Sequence, residues 1–304
     1  MLFKKPIFWC YGFIITTVLL LASIVASNYY LDFYGIYGDS KGKELRIYTN
    51  DRLSKYLLSF NYIPSNFDGL LIGSSSIEGY DLTKIDKVLV YNAAFASASI
   101  TEEKIIADNV FSSAPMKIVI ISMNPNLTFK FGNLDNSMYS REYWRALFST
   151  QALTTQAAAL LYSFFGEGKW SSTDAWGKKS MPLDSNPENR WPSLDHSVYL
   201  RTNEDVFDEY KNLIKTARLQ GARVIGFNPP MYSKKYQLGK DLYDSYSRRA
   251  RSIFMPNEQI IDFMASKYDA YNNNSLYFTD GYHLSSVGLE FFSSELVKAI
   301  NETN

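Results

Sequence analysis

The stretch "LLIGSSSIEGYD", residues 70–81, begins as a continuous apolar run and ends in three consecutive serines. Four other short runs share its first half: "KVLVYNAA" (87–94), "KIVIISMN" (117–124), "ARVIGFNPP" (222–230) and "QIIDFMA" (259–265). All are rich in Ile, Val and Leu without polar alternation, the pattern of strands covered on both faces. Between the runs the period becomes helical. Ser99 and Glu102 have capping-box spacing ahead of Ile105, Ile106 and Val110. "NEDVFDEYKNLIKTARLQG" (203–221) brings Val206, Tyr210, Leu213, Ile214 and Ala217 to one face and stops at Gly221. "SSVGLEFFSSELVKAI" (285–300) does the same with Leu289, Phe292, Leu296 and Ile300. Strands alternating with helices predict an α/β fold, a flavodoxin-like, doubly wound parallel sheet.

The interval from about 127 to 200 breaks this rhythm. It holds one helical pattern, "REYWRALFSTQALTTQAAALLYSFF" (141–165), and then a stretch rich in Gly, Ser, Pro and Trp that runs to "NPENRWPSLDHS" (186–197). It reads as an insertion over the carboxyl edge of the sheet, where open α/β sheets bind ligands.

Ahead of the domain, Lys4, Lys5 and Pro6 precede "IFWCYGFIITTVLLLASIVA", residues 7–26, which carry no charge. Twenty residues of helix cover roughly 30 Å, the thickness of a bilayer's hydrocarbon core. Trp9, Tyr11, Tyr29 and Tyr30 stand near its ends, where amphipathic rings prefer the interface, and the two lysines favour a cytoplasmic N-terminus. The alternative is a cleaved signal peptide, with "VAS" (25–27) as its cleavage site; the apolar run exceeds the usual core of roughly 7 to 15 residues, which favours an uncleaved anchor. Either way the rest of the chain is expected outside the cytoplasm. The expected organisation is an anchor at 1–30, a juxtamembrane segment with a short helix at 31–66, and the α/β domain at 67–304.

At 304 residues the chain has room for one sizeable core. Its 31 basic and 31 acidic residues balance, and no basic run points to nucleic acid. Cys10, the single cysteine, lies in the apolar stretch and has no partner for a disulfide, and nothing suggests a zinc site. Neither G-x-G-x-x-G nor a phosphate loop is present around Gly73 and Gly79. No metal or organic cofactor is implied.

A serine hydroxyl becomes a nucleophile when a base takes its proton, a third group holds that base, and donors await the oxyanion. The only imidazoles are His196 and His283. His283 lies in "TDGYHLSSVG", three residues after Asp280 and just before the last helical pattern, a spacing that lets the carboxylate reach Nδ1 in a tight turn. His196, beside Asp195 in the insertion, reads as solvated or structural. Oxyanion donors are expected from other strand ends: the small residues of "YNAAFASAS" (91–99) and the side-chain amide of Asn124.

"IGSSS", the small-residue segment after the second strand, Asn after the third, and "DGYH" before the last helix together resemble the SGNH (GDSL-like) hydrolase superfamily, over roughly residues 67–300. With a "GSS" turn in place of "GDS", the chain looks most like the membrane-anchored, extracytoplasmic branch, which includes alginate O-acetyltransferases and the D-alanyl transfer protein of teichoic acid synthesis. The resemblance implies Ser75 as nucleophile and as an oxyanion amide, with Ser74 where the family often has Asp. It implies Asp280 and His283 as the remaining catalytic residues. It places Ser97 on the family's oxyanion glycine and Asn124 on its third-block Asn, with Asn126 as the alternative. Ser76 is left as a helix-start residue.

The expected function is a membrane-anchored serine esterase or O-acyltransferase. Its partners are an acylated surface or secreted glycan, or another acyl ester, the membrane through residues 7–26, and a polysaccharide synthesis or acyl-export complex. Trp144, Trp170, Trp176 and Trp191 are candidates for a sugar-stacking wall or for core packing. The alternative function is a non-catalytic accessory that keeps the fold and binds glycan or a partner.

Overall fold

The computed structural model describes residues 4–129, 144–165, 173–180 and 202–303, with side chains from residue 8 onward. Its centre is an all-parallel sheet of five strands: β1 (Gly69–Ile72), β2 (Val90–Asn92), β3 (Ile118–Ser122), β4 (Arg223–Asn228) and β5 (Gln259–Asp262). β2 to β5 each lie inside one of the apolar runs, and β1 begins one residue ahead of its own, at Gly69. The spatial order is β2-β1-β3-β4-β5, the order of flavodoxin-like sheets, whose crevice forms beyond the carboxyl ends of the strands where the winding reverses. Register pairs Leu70 with Tyr91 and Val119, and Ile120 with Ile225.

Alternation through β1 accounts for the missing polar positions. Leu70 and Ile72 enter one core with Tyr91, Val119 and Ile121; Leu71 enters the other with Val90, Ile118, Ile120 and Phe227. The helices Ile100–Ser113 and Glu204–Leu219 cover the first face with Ile106, Val110, Leu213 and Ala217. The helix Ser286–Asn301 covers the second with Phe292, Leu296 and Ile300. Local signals start and stop these helices as the sequence requires. Both arms of the capping box form between Ser99 and Glu102. Asn203 accepts from the amides of Asp205 and Val206, and Ser285 from that of Gly288.

Residues 31–66 are built into the first core. Tyr34, Ile47, Leu53, Tyr56, Leu57, Leu58 and Tyr62 are all buried there, on and around the helices Asp51–Leu58 and Tyr62–Asn66. Two further helices, Ser233–Leu238 and Lys240–Arg251, fill the connection between β4 and β5.

The helical pattern at 141–165 differs from the single helix expected. Its described part is two helices, Trp144–Leu147 and Thr150–Phe165, and residues 141–143 lie outside the described residues. Ser149 breaks it, because its hydroxyl accepts the Ala152 amide at 3.1 Å as a cap does, while Asn28 donates to the carbonyls of Leu147 and Ser149. At the N-terminus, Lys4–Leu31 is one helix, and its stretch Phe8–Leu31 is long and apolar enough to cross a membrane.

Candidate active site

β1 ends at Ile72, and the chain turns at Gly73 over very little space. A Cβ at Gly73 would stand 2.3 Å from Ile77 Cδ1 and 3.0 Å from Ser122 Cβ, so any side chain there would have to displace Ile77 and crowd Ser122 of β3. Ser75 then opens a single 3₁₀ turn, Ser75–Ile77, whose first amide has no acceptor within the turn. Ser74 and Ser76 are buried, while Ser75 stands half-buried at the carboxyl edge of the sheet.

His283 approaches Ser75 from 208 residues away: its Nε2 lies 2.8 Å from Ser75 Oγ. On the other side of the ring, Nδ1 lies 2.7 Å from Asp280 Oδ2. The second Asp280 oxygen, Oδ1, accepts the amides of Tyr282 at 2.7 Å and His283 at 2.8 Å. Asp280 thereby shapes the tight turn that carries the histidine and orients the histidine's ring. The turn is pinned from outside, since Phe278 and Leu284 form a bridge and the Thr279 amide donates to the His283 carbonyl at 2.8 Å. A carboxylate only accepts, so it selects the imidazole tautomer with hydrogen on Nδ1 and leaves the Nε2 lone pair facing the serine hydroxyl.

The electrostatics agree with that arrangement. Burial disfavours the imidazolium, but the hydrogen bond and charge of Asp280 outweigh it, so the His283 pKa is raised above its ordinary value. Burial likewise pushes the Asp280 carboxyl up, and the His283 hydrogen bond with the two amides outweighs it, leaving Asp280 below the ordinary carboxylate value. The pair therefore stays ionised as Asp⁻ and can support a transient imidazolium.

The expected oxyanion positions lie on the loops that follow β2 and β3. Ser97 has φ +55°, the left-handed conformation that glycine adopts freely and that costs other L-residues roughly 1–2 kcal/mol. Its loop is tied to the serine turn through the bridge between Ser74 and Phe95. Asn124 is buried at the end of β3 with its Nδ2 3.2 Å from Ser76 Oγ, to which it donates, and its Oδ1 accepting the Asn126 amide at 2.9 Å. The amide group thus engages the serine next to Ser75, and Ser76, read from sequence only as a helix-start residue, holds Asn124 in place.

A second set of residues carries no signal in the sequence. Lys55, on the helix Asp51–Leu58, is completely buried and donates to the carbonyls of Asn92 and Gly177, each at 2.9 Å, and of Ala94. Burial lowers its pKa to about 8, against the pull of Asp51, Glu78 and Glu103. Arg52, one turn away, donates to the carbonyls of Ala96 at 3.1 Å and Ser97 at 3.3 Å and pairs with the buried Glu102. Two cations from the segment after the apolar helix therefore hold the loop that bends at Ser97. Gly177 completes the Lys55 cage at φ +78°, where a Cβ would stand 2.2 Å from the Asn92 carbonyl oxygen.

Beside the serine turn lies a cavity of about 120 Å³. Tyr236, Tyr243 and Tyr282 line it with Ser76, Asn124, Asn228, Asp244 and Asp262, and the hydroxyls of Tyr243 and Tyr282 lie 2.6 Å apart. Of the two roles open to the tryptophans, a sugar-stacking wall or packing, the described ones show packing at Trp176 and no wall. Trp176 packs edge-on against Phe67 with ring centroids 5.5 Å apart, whereas Trp144 is exposed on its short helix. Trp170, Trp191, Asp195 and His196 lie outside the described residues. No protein-family model and no curated protein matches this sequence, and the functional reading rests on geometry.

Proposed function

We propose that the protein is a membrane-anchored serine esterase or O-acyltransferase of the SGNH type, acting outside the cytoplasm on an acylated glycan. The observation that carries this reading is the unbroken hydrogen-bonded series Ser75 Oγ, His283, Asp280 at the carboxyl edge of a parallel sheet. As Ser75 Oγ bonds to an acyl carbonyl carbon, its proton passes to His283 Nε2. Asp280 stabilises the resulting imidazolium, and negative charge gathers on the former carbonyl oxygen. The amides of Ser75 and Ser97 and the Asn124 side chain are the donors assigned to that oxygen. Collapse returns the proton from His283 to the leaving alcohol and leaves the acyl group on Ser75. Water or a sugar hydroxyl, deprotonated by His283, then bonds to the acyl carbon, and the proton passes from His283 to Ser75 Oγ as its bond to that carbon breaks.

The neighbouring cavity suits a hydroxyl-rich substrate, since tyrosine faces accept sugar rings while amide and carboxylate groups accept or donate to hydroxyls. The apolar helix Phe8–Leu31, with Lys4 and Lys5 ahead of it, supports anchoring with the N-terminus inside.

A second reading, a non-catalytic accessory that binds glycan or a partner, is favoured by one observation: Asn124 directs its amide to Ser76 in this state. A fluorophosphonate probe separates the two. Labelling of the full chain in detergent, abolished in Ser75→Ala and slowed at least a hundredfold in His283→Ala, is expected for the enzyme. Absence of labelling, or labelling unchanged in His283→Ala, rejects the activated serine and leaves the accessory reading.

A further inference from the structure

We infer that the helix Thr150–Phe165 is a second membrane element, with its C-terminal end, Leu161 to Phe165, in contact with lipid. The inference rests on reading the N-terminal helix as the membrane span.

That helix and the span meet at one level. Along Phe8–Leu31 the side chains are exposed until Ile24 and Val25, which are half-buried; Asn28 is completely buried and Leu31 half-buried again. The spacing of 24, 25, 28 and 31 is one helix face, so the folded domain begins on the last two turns of the span. Asn28 makes the join specific. Its Nδ2 donates to the carbonyls of Leu147 at 2.9 Å and Ser149 at 3.1 Å, and its Oδ1 accepts from Gln156 Nε2 at 3.3 Å. Since about twenty residues cross the hydrocarbon core, residues 7–26 fill it and Asn28 stands at its outer boundary. Whatever is bonded to Asn28 stands there too.

The composition of the helix fits that level and not a face toward water. "TQALTTQAAALLYSFF" contains no charged residue in sixteen, although a helix facing water carries a polar stripe opposite its buried one. Ala152, Thr155, Gln156 and Ala159 form the buried stripe. Toward the far end, Leu161 is 56% exposed, Phe164 76% and Phe165 84%. Large rings left this open mark a surface with a partner. On the segment before it, Trp144 and Phe148 are exposed with ring centroids 6.2 Å apart, and the Arg145 guanidinium lies 5.6 Å from the Trp144 ring. Tyr29 and Tyr30 are exposed on the span itself. Trp, Tyr and Arg gathered at one boundary match the headgroup layer, with Leu and Phe next to it in the acyl region. Two points of attachment fix how the domain stands on the bilayer, which a single helix with a free linker does not.

The test uses the full chain in phosphatidylcholine–phosphatidylglycerol vesicles. An environment-sensitive fluorophore is attached to Cys10, or to Leu161→Cys or Phe165→Cys in a Cys10→Ser background, and nitroxide-labelled lipid is the quencher. Both substituted positions are exposed, so neither variant disturbs packing. At least twofold quenching at 161 and 165, alongside quenching at Cys10, is the expected result. Quenching at Cys10 alone overturns the inference and leaves the span intact. No quenching at any position removes the span, and the inference with it. Shielding of 161 and 165 from aqueous iodide without quenching by lipid assigns the face to a protein partner or a second copy, and also overturns the inference.

Discussion

Asp280 has two separable tasks, and replacing it in two ways tells them apart. Oδ2 orients His283; Oδ1 accepts the amides of Tyr282 and His283 and so builds the turn. In Asp280→Asn the amide oxygen takes over the Oδ1 contacts, but the NH₂ now faces Nδ1 and donates to it. The imidazole must then carry its hydrogen on Nε2, pointing at Ser75, which loses its base. The expected cost is about 10³–10⁴-fold in acyl transfer to Ser75, or about 4–5.5 kcal/mol at the transition state. Stability should change by less than about 1 kcal/mol, since the turn survives. Asp280→Ala loses the rate to a similar extent and the turn as well: two hydrogen bonds to a partly exposed charge amount to about 2–4 kcal/mol. At about 2–4 °C per kcal/mol for a chain of this size, that is a fall in Tm of roughly 4–16 °C.

The pH dependence has a definite sign. His283 is raised, so its contribution to stability is present below its unfolded pKa and fades as pH rises through its folded one; Asp280 is lowered, so its contribution is lost as pH falls through its folded pKa. The stability gap between wild type and Asp280→Ala is therefore widest between about pH 4 and 6.5. The acid limb of activity, which needs neutral His283, moves to lower pH in Asp280→Asn, because burial then acts without the opposing carboxylate. Fluorophosphonate labelling and p-nitrophenyl acetate hydrolysis across pH, together with thermal melts of the full chain in detergent, measure all of this. An Asp280→Asn variant that keeps more than a tenth of the wild-type rate, or Asn and Ala variants that melt together, would refute two separable tasks for Asp280.

Two further outcomes concern the loop that bends at Ser97. Lys55→Met leaves the carbonyls of Asn92, Ala94 and Gly177 without their donor and should destabilise the protein by about 3 kcal/mol near pH 7 in urea unfolding, with acyl transfer falling alongside. Because the Lys55 pKa is lowered to about 8, wild-type stability should gain about 3 kcal/mol between pH 8 and 10.5, as the unfolded chain holds the proton longer, and the Met variant should lack that gain. A loss under 1 kcal/mol near neutrality would contradict the cage. Ser97→Gly relieves the left-handed strain and should leave stability unchanged or raise it by up to about 1 kcal/mol with activity retained, whereas Ser97→Val should lower both; equal melting temperatures for the two count against a strained oxyanion loop.

What could be read from the chain alone was whatever depends on neighbours in sequence. Continuous apolar runs mark strands buried on both faces, because Leu70 and Leu71 must each find a core on opposite sides of the sheet. The capping box at Ser99 and Glu102, and the approach of Asp280 to His283 across three residues, are settled within a single turn of backbone. The tertiary structure alone decided contacts whose partners are far apart along the chain. Lys55 looks like an ordinary solvated lysine of an amphipathic helix, and only the carbonyls that converge on it from β2 and from Gly177 make its burial tolerable. The apolar pattern around Phe148 continues helically, yet capping by Ser149 and the side chain of Asn28, more than a hundred residues away, breaks it. The meeting of Ser75 with His283 is expected only through the family resemblance and has no local signal, since 208 residues separate them and the winding of the sheet brings the two loops to one edge. Pattern reports which surfaces a segment must bury and how its backbone is capped; which distant polar group answers a buried one is decided when the chain closes on itself.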